Sequence, residues 1–414
     1  MDAREAAMLA LNACQRQGGW SDGALKKQLS AAELSGRDAA LATQLCFGVL
    51  QNQMLLDFYL SKFSNIPLKR MEGKVVQTLR LGAYQMLFLT RIPHSAAVNS
   101  AVALVKAHCK NPRAAGMVNG ILRSMERSLQ NMPVIPQGDP VAYLSTLYSH
   151  PEWLVKEFIL SLGEEETAQL LAADNSQPPT AVMVNTTRTT AETLKAMLEA
   201  DHVEAEPHPW LENCLLLSRT GDLERLEAFQ QGLFYVQDPA SRLAVLAAGA
   251  KPGMKVLDCC AAPGGKSFAA AIAMENQGEI VSCDLHPHKK KLIQAGADRL
   301  GLTIITPKTA DGKVFRPEWE RAFDLVLVDA PCSGLGVIRK KPDIRYKDPA
   351  PLADLPAVQL DILHNAARYV KPGGTLMYST CTLLYRENEE VVETFLAENS
   401  SYTAEAFPLP GPVG

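Results

Sequence analysis

Over residues 1–128 apolar side chains recur at three- and four-residue steps, in AAMLALNAC, in DAALATQLCFGVLQNQMLLDFYLSKF and in VVQTLRLGAYQMLFL. That period is helical. Ser35, followed by Gly36, Arg37 and Asp38, marks a helix start, and Pro67 and Pro93 punctuate the segment. IPHSAAVNSAVALVKAHCK begins a further helix that Asn111-Pro112 ends, and MVNGILRSM is the last of the group. The prediction is a bundle of several helices. Residues 129–150 carry Pro133, Pro136 and Pro140 and read as a looser connection, followed by two helices in SHPEWLVKEFILSL and EEETAQLLAADN. TAVMVNTT, CLLLS and GLFYVQD read as strands and AETLKAMLEADH as a helix, which makes a small α+β module over about 178–240. From Lys255 the pattern changes again. KVLDCC, EIVSCDL, TIITPKTAD, FDLVLVDA and GGTLMYST are short β-rich runs, each separated from the next by enough chain for a helix. Such alternation predicts a doubly wound parallel sheet. The expected architecture is multidomain: an all-α bundle over 1–130, linker helices and the α+β module over 131–240, and an α/β Rossmann-like core over 241–414.

Composition narrows the class. The 414 residues are 47% hydrophobic and 21% charged, an ordinary globular balance that excludes wholesale disorder and a collagen-like repeat. No apolar run approaches the ~18 residues of a membrane span. The start, MDAREAAMLALNACQRQ, is interrupted by Asp2, Glu5, Asn12 and Gln15 and does not read as a signal peptide, so the expected location is the cytoplasm and no membrane partner is expected. The net charge of −4 conceals an asymmetry: residues 1–130 hold sixteen Lys and Arg against eight Asp and Glu. A basic front on an acidic protein points to a polyanion partner, the alternative being a solvated helical face without a ligand. Nine cysteines without CxxC or His/Cys spacing read as reduced thiols, most of them small buried apolar residues, and no metal is expected.

The first core strand runs into DCCAAPGGKS, residues 258–267. Two glycines among small residues let the backbone approach a ligand at the carboxyl end of a strand. The segment is neither a Walker loop, since Cys260 stands where its first glycine belongs, nor a GxGxxG turn. A plain strand-to-helix turn is the alternative. Asp284, Asp311 and Asp329 fall at or just after the ends of the next three strands; dinucleotide folds place an acidic residue at the position of Asp284 to bind ribose hydroxyls, although a lone Asp there also serves as a helix cap. DAPCSGLGV and YSTCT put Cys332 and Cys381 just past the fourth and fifth strands. A thiolate beside an acid is a nucleophilic arrangement, and inert buried thiols are the alternative.

These segments resemble the RNA cytosine-5 methyltransferases of the Nol1/Nop2/Sun family. DCCAAPGGKS, DAPCSGLGVIRKKPDIRY and YSTCTLLYRENEEVV are similar to the family's core motifs, GLFYVQDPAS to the segment that leads into them, and SHPEWLV to its pre-core helix. LRLGAYQMLFLTRIPHSAAVNSAV and MVNGILRSM resemble a NusB-type RNA-binding domain. The combination looks like the bacterial small-subunit ribosomal RNA methyltransferases of the RsmB type. The resemblance implies S-adenosyl-L-methionine as cofactor, held by Cys260, Ala261, Ala262, Pro263, Gly264, Gly265, Lys266, Asp284, Asp311 and Asp329. It implies attack on cytosine carbon-6 by Cys381, release assisted by Cys332, and a hydrogen bond from the cytosine edge to Asp329. Lys266 is read as lowering a nearby thiol's pKa. The base must be single-stranded or flipped to be reached. Arg339, Lys340, Lys341, Arg345 and Tyr346 are then candidates for phosphate contacts and stacking, with a solvated basic loop as the alternative.

The chain departs from the family in two places. Met183-Val184-Asn185 stands where Arg-Val-Asn is usual, so one polar contact of the module is expected to be missing. The chain is also expected to stop short of a final strand pair that closes the family's sheet. A non-catalytic RNA-binding or ribosome assembly factor is the rival reading, and a DNA cytosine methyltransferase a second one. A monomer is expected.

Overall fold

The computed structural model describes residues 1–17, 21–408 and 410–411. It divides into two compact units, one comprising Met1–Gln177 with Leu335–Asp348, the other Pro178–Gly334 with Pro349–Gly414.

The first unit contains α1 (Ala3–Gln17), α2 (Ser21–Ala31), α3 (Gly36–Gln51), α4 (Gln53–Phe63), α5 (Gly73–Phe88), α6 (His94–His108) and α7 (Ala114–Arg127). Helix α5 is the axle of the bundle, with every residue from Val75 to Met86 buried. A helix buried all round must satisfy its polar side chains internally. Arg80 does so with both oxygens of Asp57 at 2.8 and 2.6 Å, and Gln77 donates to Gln15 at 2.9 Å. Close approach to the neighbouring helices requires glycine. A Cβ on Gly48 of α3 would lie 2.0 Å from the Tyr84 ring, and one on Gly82 would lie 2.7 Å from Leu122.

The expected loose connection holds a helix, α8 (Pro140–Tyr148), in place of the predicted irregular chain. Pro140 sits at its first turn, where a missing N–H is harmless, and the Asp139 carboxylate accepts from Val141 N at 3.0 Å. The proline that read as a breaker is a starter. The predicted pair α9 (Glu152–Leu162) and α10 (Glu164–Asp174) follows.

The segment Leu335–Asp348 corrects a second expectation. Arg345 is fully buried, not a phosphate contact. Its Nη1 donates to Asn175 Oδ1 at 2.8 Å and to Tyr148 O at 3.2 Å, and it faces Ser149 O at 3.3 Å. Tyr346 donates to Leu50 O at 2.8 Å rather than presenting a ring to a base. Asp343 is anchored by the Ser21 hydroxyl at 2.6 Å. Arg339 is half-buried and donates to Gln177 O at 3.1 Å, which leaves Lys340 and Lys341 as the exposed cations of the five. A guanidinium caps otherwise unsatisfied carbonyl groups as readily as it binds phosphate, and charge in the sequence does not distinguish the two.

The second unit opens with β1 (Thr180–Val184), α11 (Ala191–Ala200), β2 (Glu204–Pro207), β3 (Cys214–Ser218), α12 (Glu227–Gln230) and β4 (Phe234–Val236). They form an antiparallel sheet of order β2-β3-β1-β4. Strand β2 had no sequence signal, because EAEP buries only Ala205 and its charges suit an edge. Met183 sits in an apolar cluster with Ala181, Cys214 and Tyr235, so packing occupies the place of the expected polar contact. Asn185 is fully buried and donates to Gly232 O and Leu300 O, both at 2.9 Å.

Then follow α13 (Pro239–Ala248), β5 (Lys255–Asp258), α14 (Gly265–Ala273), β6 (Glu279–Asp284), α15 (Pro287–Leu300), β7 (Ile305–Thr309), β8 (Phe323–Asp329), α16 (Leu355–Ala367), β9 (Val370–Ser379) and α17 (Glu389–Glu398). All five predicted strands form one parallel sheet of order β7-β6-β5-β8-β9. Alternate residues feed opposite cores, Val256, Ile280, Leu325 and Leu327 on one face and Leu257, Val281, Val326 and Val328 on the other. The strand order reverses between β5 and β8, and a crevice opens at such a switch point beyond the carboxyl ends. Among the described residues no helix is long and apolar enough to cross a membrane.

Candidate functional site

Strand β5 ends in Asp258, which is fully buried, and the chain turns through Cys260–Gly264 into α14. The turn is fixed from both sides. Ala261 N donates to Cys283 O at 2.7 Å, and the Ser267 hydroxyl donates to Asp258 Oδ2 at 2.7 Å. Gly264 has φ +116°, and a Cβ there would lie 2.4 Å from the Phe268 ring, so only glycine fits. Burial raises the Asp258 carboxyl to about 7, with the negative charge of Asp329 adding to the rise and the Ser267 hydrogen bond and Lys266 opposing it. Cys259 and Cys260 are pushed well up by burial, which removes both as nucleophiles.

The candidate acids line the same sheet edge. Asp284 ends β6, nearly buried, with His286 N at 3.0 Å and Lys289 Nζ at 3.5 Å. Asp311 lies two residues past β7, half-buried, and accepts from Lys313 N at 2.9 Å. Asp329 ends β8 between two partners, with Lys266 Nζ at 2.8 Å and the Ser379 hydroxyl at 3.0 Å. Two of the acids therefore cap loop amides, and Asp329 carries the one lysine of the turn.

The two candidate cysteines meet. Cys332 Sγ lies 3.2 Å from Cys381 Sγ, and Cys381 N donates to Cys332 Sγ at 3.3 Å. Cys381 is exposed and Cys332 half-buried. A thiol hydrogen bond from Cys332 holds Cys381 below its ordinary value, Lys266 adds to that effect, and burial and Asp329 oppose it. Cys332 is raised by the same hydrogen bond and by burial. The pair thus favours a thiolate on the exposed sulfur and a thiol on the sheltered one, a distinction that spacing alone left open.

Sequence patterns missed four polar residues here. Gln237 is buried, and its Nε2 lies beside Gly265 without a protein partner. Gln359 and Glu387 are completely buried, and Asn388 is half-buried beside them. In RENEEVV nothing marks the first glutamate as an interior residue when Glu389 and Glu390 are exposed.

Comparison with known proteins gives the family of the chain. The family model for the 16S rRNA methyltransferases RsmB/F matches residues 245–414, the NusB family matches 1–127, and a ferredoxin-like domain of the RsmF/B-like methyltransferases matches 150–224. A protein of Bacillus subtilis named "Probable ribosomal RNA small subunit methyltransferase B" is 41% identical over 402 residues, covering 96% of this chain and 89% of its own length. The chain belongs to the RsmB/F methyltransferase family. A Synechocystis protein of the same name is 32% identical and matches across 100% of this chain and 93% of its own. A solved structure, "Crystal Structure of PH0851", superposes with a TM-score of 0.81 at 25% identity, over 96% of this chain and 89% of that one.

S-adenosyl-L-methionine is the cofactor of this family, and the residues present suit it. The Gly264-Gly265 turn is free of side chains, and a Cβ on Gly265 would crowd Gln237 Nε2 at 3.3 Å. Gln237 Nε2 and Asp258 Oδ1 are buried polar atoms at that turn without protein partners. Asp284 ends the next strand and Asp311 lies two residues past the one after, at the carboxyl ends where folds of this kind bind their ligands.

Proposed function

We propose that this chain methylates carbon-5 of a cytosine in small-subunit ribosomal RNA through a covalent Cys381–cytosine adduct. The observation that carries the reading is the 3.2 Å approach of Cys332 and Cys381 next to the Lys266–Asp329 pair, at one end of adjacent parallel strands. Carbon-5 of cytosine is a poor nucleophile. The Cys381 thiolate adds to carbon-6, and the displaced electron pair spreads over carbon-5 and nitrogen-3. Asp329 hydrogen-bonds the cytosine edge, and the Lys266 ammonium offsets the charge that develops there. S-adenosyl-L-methionine, held by Cys260–Lys266, Asp284, Asp311 and Asp329, supplies an electrophilic methyl group on a sulfonium. Carbon-5 would take that methyl group as the methyl–sulfur bond breaks, its electron pair staying on sulfur to leave a neutral thioether. Its proton then leaves to solvent water, the carbon-5–carbon-6 double bond re-forms, and the carbon–sulfur bond breaks. The Cys332 S–H hydrogen-bonds to the departing Cys381 thiolate and keeps its own proton, which regenerates the resting pair of a Cys381 thiolate beside a Cys332 thiol.

Three parts divide the work: a basic helical bundle over 1–130 that holds RNA phosphates, the module over 131–240 that positions the strand, and the catalytic core over 241–414. The enzyme acts as a cytoplasmic monomer. Cys381→Ala abolishes methyl transfer to unmodified ribosomal RNA, and Cys332→Ala accumulates a protein–RNA adduct that survives denaturing electrophoresis. Normal turnover by Cys381→Ala would refute the assignment. Bisulfite sequencing of ribosomal RNA from cells with and without the gene locates the cytosine.

A further inference from the structure

The two cysteine loops are held by two adjacent residues, each of which grips one loop. Glu387 is fully buried at the start of the segment that leads into α17. Its Oε2 accepts from Ser333 N at 2.9 Å, the amide just after Cys332. Gln359, also fully buried, donates from Nε2 to that same Oε2 and to Pro331 O, both at 2.9 Å. The peptide groups on both sides of Cys332 are therefore fixed by one carboxylate and one amide. Asn388 faces the other loop. Its Nδ2 donates to Thr382 O at 3.2 Å and Leu384 O at 3.0 Å, and its Oδ1 accepts from the Thr380 hydroxyl. Thr380 and Thr382 flank Cys381 as Pro331 and Ser333 flank Cys332. A side-chain bond also joins the loops away from the sulfurs, Ser333 Oγ to Thr382 Oγ1 at 2.7 Å.

Burying a carboxylate is costly unless hydrogen bonds repay it. Glu387 spends this cost on a single loop amide and a single glutamine, and its Oε1 has no partner. A stable core would be served as well by an apolar residue. The expense is explained if the position of Cys332 itself matters.

We infer that Glu387 with Gln359, and Asn388, are positioning residues for separate halves of the reaction: the first pair sets Cys332 for release of the adduct, and Asn388 sets Cys381 for attack. This rests on the two-cysteine reading above. In Glu387→Met the one oxygen that accepts from both Ser333 N and Gln359 Nε2 is removed at similar volume, the Ser333 hold is lost, and Cys332 drifts from its donor distance. In Asn388→Asp the donors to Thr382 O and Leu384 O are lost, and the Cys381 loop loosens. The two changes, one residue apart, have opposite outcomes.

The experiment uses the full chain, unmodified in-vitro-transcribed small-subunit ribosomal RNA and S-adenosylmethionine, and reads adduct on denaturing gels together with turnover. Glu387→Met accumulates adduct because release slows about tenfold, the change expected for one modest hydrogen bond. Gln359→Met, which keeps the volume, does the same if Glu387→Met fails to fold. Asn388→Asp loses turnover and accumulates no adduct. In the Cys332→Ala background Asn388→Asp slows adduct formation, whereas Glu387→Met leaves it unchanged, since its target thiol is already gone. Uniform loss of both steps in all three variants means a merely structural role and overturns the inference. If Cys332→Ala itself traps nothing, the two-cysteine reading fails. If it traps adduct while Glu387→Met and Gln359→Met do not, only the positioning inference fails.

Discussion

Asp258 offers a quantitative test of the cofactor turn. Its carboxyl is fully buried, accepts one hydroxyl hydrogen bond from Ser267, and has one oxygen without a partner. Burial raises it from 3.8 to about 7. The folded protein therefore binds this proton more tightly than the unfolded chain does. The stabilisation is fully present below pH 3.8 and is lost as pH rises through about 7, at about 1.4 kcal/mol per pH unit between the two values. From pH 5 to pH 8 the loss comes to about 2.5 kcal/mol, with most of it complete by pH 7. Asp258→Asn keeps an oxygen for Ser267 and cannot ionise. Urea unfolding of both proteins at pH 5, 6, 7 and 8 isolates this group, because every other titration cancels in the difference. The expected result is a difference in unfolding free energy that moves by about 2.5 kcal/mol in favour of the asparagine variant across that range. A difference that does not vary with pH would mean that Asp258 is ionised throughout, and the account of the turn as a desolvated pocket would fall.

Two further outcomes follow from the same contacts. Alkylation by iodoacetamide, resolved by peptide mass spectrometry, marks Cys381 at lower pH than an ordinary thiol, and Cys332→Ala moves its profile to higher pH because the donated S–H is lost. Arg345→Leu destabilises the helical unit by about 1–3 kcal/mol in thermal or urea unfolding, since Asn175 Oδ1 loses its donor and the Tyr148 and Ser149 carbonyls lose one of theirs. Where the variant is folded, the salt dependence of its RNA affinity equals that of the wild type. A slope reduced by about one would restore Arg345 as a phosphate contact.

What the sequence shows of the fold depends on how strongly each element signals its environment. The five parallel strands were legible because a strand buried on both faces must be a continuous apolar run, as LVLV of β8 is. Helix α8 was not, because Pro140 reads as a breaker until its position at the first turn is known. Strand β2 was not, because an edge strand of one buried alanine and two glutamates carries no alternation worth reading. Arg345 and Tyr346 misled for a different reason. They lie in a segment rich in basic residues, and polarity suggests exposure, whereas the side chains turn inward to carbonyl groups that only the tertiary structure brings together.

The site shows the same division between what is local and what is relational. Each motif announces a loop at the end of a strand, but the meeting of the two sulfurs follows from the strand order. Because β8 and β9 are parallel neighbours, Asp329 pairs with Ser379, and the chain then runs three residues to Cys332 and two to Cys381. Any order that separated those strands would leave the same motifs and no thiol pair. The direction of the pair is also relational, since it arises from a burial difference and from Lys266, which a third strand supplies through its turn. Glu387, Gln359 and Asn388 were invisible for this reason: their importance lies entirely in the loops they hold, and a glutamate, a glutamine and an asparagine have no periodicity of their own.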